Sequence, residues 1–285
     1  MTATGEWIIV LNLMTSLTSQ QISRFYDLYK QAEVSFNTRI IEAFSLLPKE
    51  VYLRCKGEIL PCIIYSTSME SAKVLATLSD RQFKLIREAN KLVSLRFCFK
   101  SPDKATPLAF FVTAKIGGFS RFDKDNTDLY FITITYTQKP PDDLIEMLGI
   151  LLDANSNAQQ RKEVRIDILP KTIKSLNLDS KEALIYIDRV PRKCIIRDLS
   201  FSGAKVLLVG VAKFLLEKVA ILHLSFGDLP EPLQIGGKII RYEEVDGRKG
   251  IAAIAIYFHE AGIPVQYKIH LNECLRDYRA DPAPT

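Results

Sequence analysis

R-K-E-V-R at Arg161 to Arg165 and D-L-S-F-S-G at Asp198 to Gly203 bracket the stretch that decides how this chain is read. Around and beyond them the pattern is that of strands. Val164, Ile166 and Ile168 alternate with Arg165 and Asp167. Leu184 to Ile187, Cys194 to Leu199, Ala204 to Val209, Val219 to Phe226, Lys238 to Glu243 and Gly250 to Phe258 follow as apolar runs of strand length. Turn signals lie at Phe226-Gly227-Asp228, Gly236-Gly237 and Asp246-Gly247. Tyr267 to Tyr278 reads as a closing helix, and Asp281 to Thr285 as a loose tail. The expectation is an all-β unit, a closed barrel, starting at Arg161.

The two bracketing segments carry complementary chemistry. In extended chain, residues an even number apart share a face, so Arg161 and Arg165 should project together, as should Asp198 and Ser200. Guanidinium forks bind phosphate oxygens bidentately, grip the O6/N7 edge of guanine and stack on purines. A carboxylate at Asp198 can accept from guanine's N1 and N2 hydrogens. Ser200 can donate to a phosphate or base, and Gly203 permits positive φ and close backbone approach. Either motif alone is weak, because Asp, Ser and Gly are ordinary turn residues and paired arginines ordinary strand surface. Their order and context carry the reading.

R-x-x-x-R followed by D-x-S-x-x-G resembles the signature of PilZ domains, bacterial receptors for cyclic di-GMP. K-I-I-R (Lys238 to Arg241) and G-I-A-A-I-A-I-Y-F (Gly250 to Phe258) are similar to that family's later barrel strands. The resemblance implies a cyclic di-GMP site at Arg161, Arg165, Asp198, Ser200 and Gly203. It also implies a receptor, not an enzyme, and, if the process is motility, a flagellar protein as its partner. Because the polar stretch 153–160 ends at Arg161, ordering the arginines orders the chain that leaves the first domain. Ligand is therefore expected to rotate the domains about residues 153–160 and thereby control the partner. Gln160, just before the first arginine, is neither the basic nor the aliphatic residue often found there, which leaves one ligand or a stacked pair open.

Upstream, Asp153 to Gln160 is polar and small and reads as a linker. It divides residues 1–152 from a PilZ domain over 161–285. Thr18-Ser19-Gln20-Gln21 fits a capping box, and Ile22 to Leu47 carries apolar residues at helical spacing, so one long helix stopped by Pro48 is expected. Val51 to Cys55 and Ile59 to Tyr65 read as a hairpin across Lys56-Gly57-Glu58. Lys73 to Leu78 is a strand, and Asp80 should cap a short helix through Asn90. Leu92 to Lys100, Leu108 to Ile116 and Leu129 to Gln138 are further strands, with Gly117-Gly118 as a strand end. Pro140-Pro141-Asp142-Asp143 opens another helix. F-I-T-I-T-Y-T-Q-K-P-P-D-D-L-I-E is similar to the PilZ-like domains that precede the receptor domain in some spirochaete and flagellar-brake proteins. Residues 1–152 lack both motifs and are expected not to bind the nucleotide. The fold class is therefore β-rich α+β, two antiparallel β-barrel-like domains with flanking helices.

Composition sets limits. Residues 1–152 carry 18 Lys and Arg against 16 Asp and Glu, and residues 153–285 carry 20 against 17. That balance argues against nucleic acid as the partner and makes a nucleic-acid-binding β-barrel the second reading. Cys55, Cys62, Cys98, Cys194 and Cys274 form no C-x-x-C pair and lie apart from most of His223, His259 and His270. No metal, cofactor or disulfide framework is expected, and the setting is read as cytoplasmic. Trp7 to Met14 is too short and too acidic at its start for a membrane span or signal peptide, and reads as a buried strand or helix lead-in. Arg189, Arg192, Lys193 and Arg197 are expected as a solvated rim, and no nucleophile or phosphate loop places a reaction.

Overall fold

A computed structural model describes residues 17–100, 106–122, 128–209, 212–245 and 250–280. Trp7 to Met14, Asp246-Gly247 and Asp281 to Thr285 lie outside them. The chain divides between Leu152 and Asp153 into two compact units.

In the first unit, α1 (Ser19–Tyr29) starts at the expected capping box: the Thr18 hydroxyl accepts from the Gln21 amide, and the Thr18 amide donates to the Gln21 side chain at 2.9 Å. The long helix to Leu47 does not form. The chain makes β1 (Val34–Ser35), restarts as α2 (Thr38–Ala43) and ends in a 3-10 turn, Pro48–Glu50. Asn37 causes the restart, because its side chain accepts from the Ile40 amide at 3.0 Å and fixes a helix N-terminus. β2 (Tyr52–Cys55) and β3 (Glu58–Pro61) form the predicted hairpin, with Lys56 and Gly57 both at positive φ as a two-residue turn requires. β4 (Ile63–Thr67), β5 (Ser71–Thr77), α3 (Asp80–Glu88), β6 (Leu92–Phe99), β7 (Leu108–Arg121) and β8 (Leu129–Tyr136) follow. The cap of α3 is Ser79, with Asp80 in the first turn. Gly117-Gly118 is no strand end: β7 runs through it, with a bulge between Ile116 and Gly118.

These strands make one antiparallel sheet, in order β1-β4-β5-β8-β7-β6-β2-β3. Cys62 alone separates β3, at one edge, from β4, beside the other, so the sheet must be rolled. Leu53, Leu95, Phe97, Ile132 and Ile134 fill its interior, and Leu144, Ile145 and Leu151 of α4 (Asp142–Gln160) are fully buried. Gly149 lets α1 approach α4, since a Cβ there would overlap the Phe25 ring.

The expected linker at 153–160 is helical: α4 runs on through it. No Pro or Gly interrupts the segment, and Ala154 and Ala158, one turn apart, are both buried. Polarity alone suggested a loop, but the buried alanines mark a helix face. Beyond it come β9 (Ile166–Asp167), α5 (Pro170–Ser175), β10 (Glu182–Ile187), β11 (Val190–Leu199), β12 (Gly203–Val209), β13 (Val219–Leu224), β14 (Leu233–Glu244), β15 (Ile251–Phe258) and α6 (Val265–Ala280). Strands pair in the order β10-β13-β14-β15-β12-β11, and β11 pairs back onto β10, closing a six-stranded antiparallel barrel. Gly236-Gly237 is no turn: it lies inside β14, where a Cβ on Gly237 would strike the Tyr257 carbonyl of β15. Ile185, Val206, Leu222, Ile254, Tyr267 and Leu271 belong to the core, so α6 packs onto the barrel as expected of a closing helix.

Candidate functional site

The two motif segments are neighbours on the sheet. β11 pairs with β10 from Val190 to Ile195, bulges between Ile196 and Asp198, and then pairs with β9, Asp198 facing Asp167 and Leu199 facing Ile166. The bulge thus transfers β11 from one partner to another, at the point where the motif begins. Arg165, immediately before β9, donates Nη1 to Asp198 Oδ1 at 2.6 Å. The Asp198 side chain is 12% exposed and that of Arg165 42%. A charge-assisted bond of this length across adjacent strands aligns the segments, and with one partner half in water it contributes about 1 kcal/mol or less.

Arg161 is not in extended chain. Its amide donates to the Asn157 carbonyl at 2.9 Å and its carbonyl accepts from the Val164 amide at 3.1 Å, so residues 161–164 turn off the end of α4. The shared extended face expected for the two arginines therefore does not exist; a helix end and a strand start deliver them separately. The Arg161 guanidinium makes no hydrogen bond or ion pair among the described residues.

Ser200 faces inward, while Gly203 makes the close backbone approach expected of it without the positive φ. Ser200 is fully buried. Its hydroxyl donates to the Gly203 carbonyl and accepts from the Gly203 amide, both at 3.1 Å, while its own amide donates to that carbonyl at 2.8 Å. The hydroxyl is consumed in closing the turn. Gly203 is not at positive φ, and what forbids a side chain there is the Ile256 carbonyl of β15, which a Cβ would overlap. The D-x-S-x-x-G pattern is thus a way of folding a tight strand connection that holds Asp198 in place.

Three further residues complete the arrangement. The Ser202 hydroxyl donates to the Lys162 carbonyl at 3.0 Å, tying the turn after α4 to the β11–β12 connection. The Tyr267 hydroxyl of α6, itself buried, donates to the Ser200 carbonyl at 2.8 Å. Burial, and then the Asp198 charge, push the Tyr267 phenol pKa well up, so it acts as a donor. Lys162 pairs with Glu260 at 2.9 Å. Its ammonium pKa is raised and the Glu260 carboxyl lowered by that bond, so both stay charged. Ser202 lay inside the motif as an unassigned position. Nothing local in the sequence points to Tyr267.

The expected basic rim is not a cluster. Asp188 and Arg189 form the two-residue β10–β11 turn, both at positive φ. Nine residues of strand separate Arg189 from Asp198, roughly 30 Å. Only Arg197, exposed at the bulge, adjoins the motif. A cavity of about 70 Å³ behind the turn, touching Lys162, Ser202 and Tyr257, is far smaller than a nucleotide needs. Arg161, Arg165 and Arg197 instead offer cationic groups at the surface beside a buried carboxylate, an arrangement suited to an anionic ligand that also carries hydrogen-bond donors. Among the described residues no group of His, Cys, Asp and Glu could hold a metal ion, and no helix is long and apolar enough to cross a membrane. All five cysteines are free and buried.

The chain resembles known proteins along most of its length. A family model, the PilZN3 domain, matches residues 20–155. A Treponema denticola protein named "Cyclic di-GMP binding protein" is 44% identical over 260 residues, covering 91% of this chain and 83% of its own. Among solved structures, Borreliella burgdorferi PlzA in complex with c-di-GMP is 25% identical with a TM-score of 0.42, covering 90% of this chain and 99% of that one. The Bacillus subtilis inhibitor of motility is 13% identical with a TM-score of 0.31, covering 82% and 96%.

Proposed function

The chain belongs to the two-domain PilZ family of cyclic di-GMP binding proteins, and on that premise we propose that it is itself a cyclic di-GMP receptor. The observation that carries the reading is the Arg165–Asp198 contact, which unites both motifs at one point of the barrel. Arg161 and Arg165 bind phosphate oxygens and purine edges, and Asp198 accepts from a guanine. Ser200 and Gly203 act on the ligand through the turn they close. The role is binding, not catalysis.

Ligand at this place acts on the turn at the end of α4, the helix that spans the division between the units. We place ligand-dependent rearrangement at residues 161–165, since 153–160 is helix. It works only through unequal affinity for the two arrangements, and it is by this rearrangement that a protein partner is controlled. Titration calorimetry with cyclic di-GMP tests the binding. Heat with wild type that is lost in Arg161→Ala and Arg165→Ala supports it, and the absence of heat with wild type ends it. A pull-down with and without nucleotide tests the partner, and identical capture in both would remove that part.

A further inference from the structure

One sizeable cavity has nothing to do with the motifs. It is a trough of about 550 Å³ on the outer wall of the barrel, and none of Arg161, Arg165, Asp198, Ser200 or Gly203 lines it. Leu184 of β10, Ile195 of β11 and Val209 of β12 are its exposed apolar members, 42%, 39% and 75% exposed. Ile221 and Val219 of β13 extend the same wall, at 37% and 57%. Scattered apolar residues on a surface need no explanation, but exposed apolar residues on four adjacent strands, gathered around two neighbouring grooves, mark an interaction surface. A closed barrel has no free edge here, so a partner must dock face to face.

The register identifies the partner. Glu182 faces Ile195, and Leu184 faces Lys193, with all four side chains pointing outward. They occupy the corners of a rectangle about 5 by 7 Å, the charges on one diagonal and the apolar residues on the other. A two-fold axis lying in the wall along the apolar diagonal brings Leu184 and Ile195 against their own copies. It also brings Glu182 within reach of the partner's Lys193, and Lys193 within reach of the partner's Glu182. Neither charge has an ion-pair partner among the described residues. This is the self-complementarity that an isologous dimer demands. A nucleic acid would want a basic wall, and the trough offers one lysine offset by one glutamate.

We propose that this wall, built on β10 and β11, is the surface through which two copies of the chain form a two-fold dimer. The interface is independent of the nucleotide motifs. Sedimentation velocity of the full chain over a concentration series tests it. Wild type should pass from monomer to dimer as concentration rises. Glu182→Lys and Lys193→Glu, each placing like charges together twice, should each weaken the dimer about tenfold or more. The double reversal E182K/K193E should restore it, with circular dichroism unchanged throughout. A wild type that stays monomeric at every concentration overturns the proposal. So does a dimer that survives Lys193→Glu, or a double reversal that remains apart.

Discussion

The two units roll their sheets by different means. The second joins β11 back to β10 by hydrogen bonds, whereas the first runs one strand almost unbroken from edge to edge, with Cys62 the only residue between β3 and β4. Hydrogen-bonded closure leaves a strand free to change partner. β11 does so at its bulge, and the vacated position accepts β9 and the arginine beside it. The first unit also has bulges, beside Tyr65 and Gly117, and β1 joins the sheet next to the first of them, Ser35 facing Ser66. But β4 changes no partner there, and neither β1 nor β4 carries a charged residue. What separates a unit with a charged joint from one without is where a strand exchanges neighbours, more than how many strands it has.

Substituting the crowded glycines should stress this contrast most. Gly203→Ala drives a Cβ into the Ile256 backbone, which cannot yield without opening the barrel, and should cost roughly 3 kcal/mol or more. Gly149→Ala meets Phe25 as far in as its Cβ, so α1 must shift on α4, a displacement of one helix that leaves the sheet intact and should cost about 1–3 kcal/mol. Urea unfolding curves of both variants check the ranking, and a larger loss for Gly149→Ala would break it.

A smaller difference should appear with pH. Burial raises the Glu273 carboxyl of α6 to about 7, from an ordinary value of 4.5. The folded state then holds a proton that the unfolded chain has released, so this residue lowers stability as pH rises from about 4.5 to 7. His270, whose pKa burial lowers against the opposing Asp228 charge, contributes the other way, its stability being lost as pH falls below its unfolded value of about 6.5. Comparing wild type with Glu273→Gln isolates the carboxyl. The variant's advantage should grow from pH 4.5 to 7 and then level, reaching no more than about 3 kcal/mol. In the first unit, Glu146 is also raised by burial and should show the same sign.

Arg165→Ala sharpens the comparison at the joint itself. Nucleotide affinity should fall tenfold to about a hundredfold, while unfolding free energy changes by less than about 1 kcal/mol. A large loss of stability would make the arginine a structural strut. Smallest of all, Arg189→Ala at the far hairpin should leave calorimetric affinity unchanged.

Much of this was legible beforehand because strands with one buried face alternate, and that alternation survives in Val190–Leu199 and Leu129–Tyr136. Helices were harder. Ile22 to Leu47 keeps helical spacing across α1 and α2, and spacing cannot reveal that Asn37 starts a new helix between them. Gly236-Gly237 looks like a turn until β15 is known to pass beside it. At the joint, chemistry alone suggests that the two segments share one ligand, but the direct Arg165–Asp198 bond is visible only in the structure. For Ser200 the sequence suggests a ligand-facing hydroxyl, because its actual partner, the Gly203 backbone, is settled only by the closing of the barrel. For Gly203 the close approach is legible, but not that the Ile256 carbonyl makes it.

The Tyr267–Ser200 bond spans 67 residues of chain. On the ribosome, the strands bearing both motifs therefore emerge well before the helix that anchors their turn from within. A nascent chain halted ahead of α6 would present the arginines and the acid without that anchor, so competence for the nucleotide should arrive late in synthesis, with the last helix.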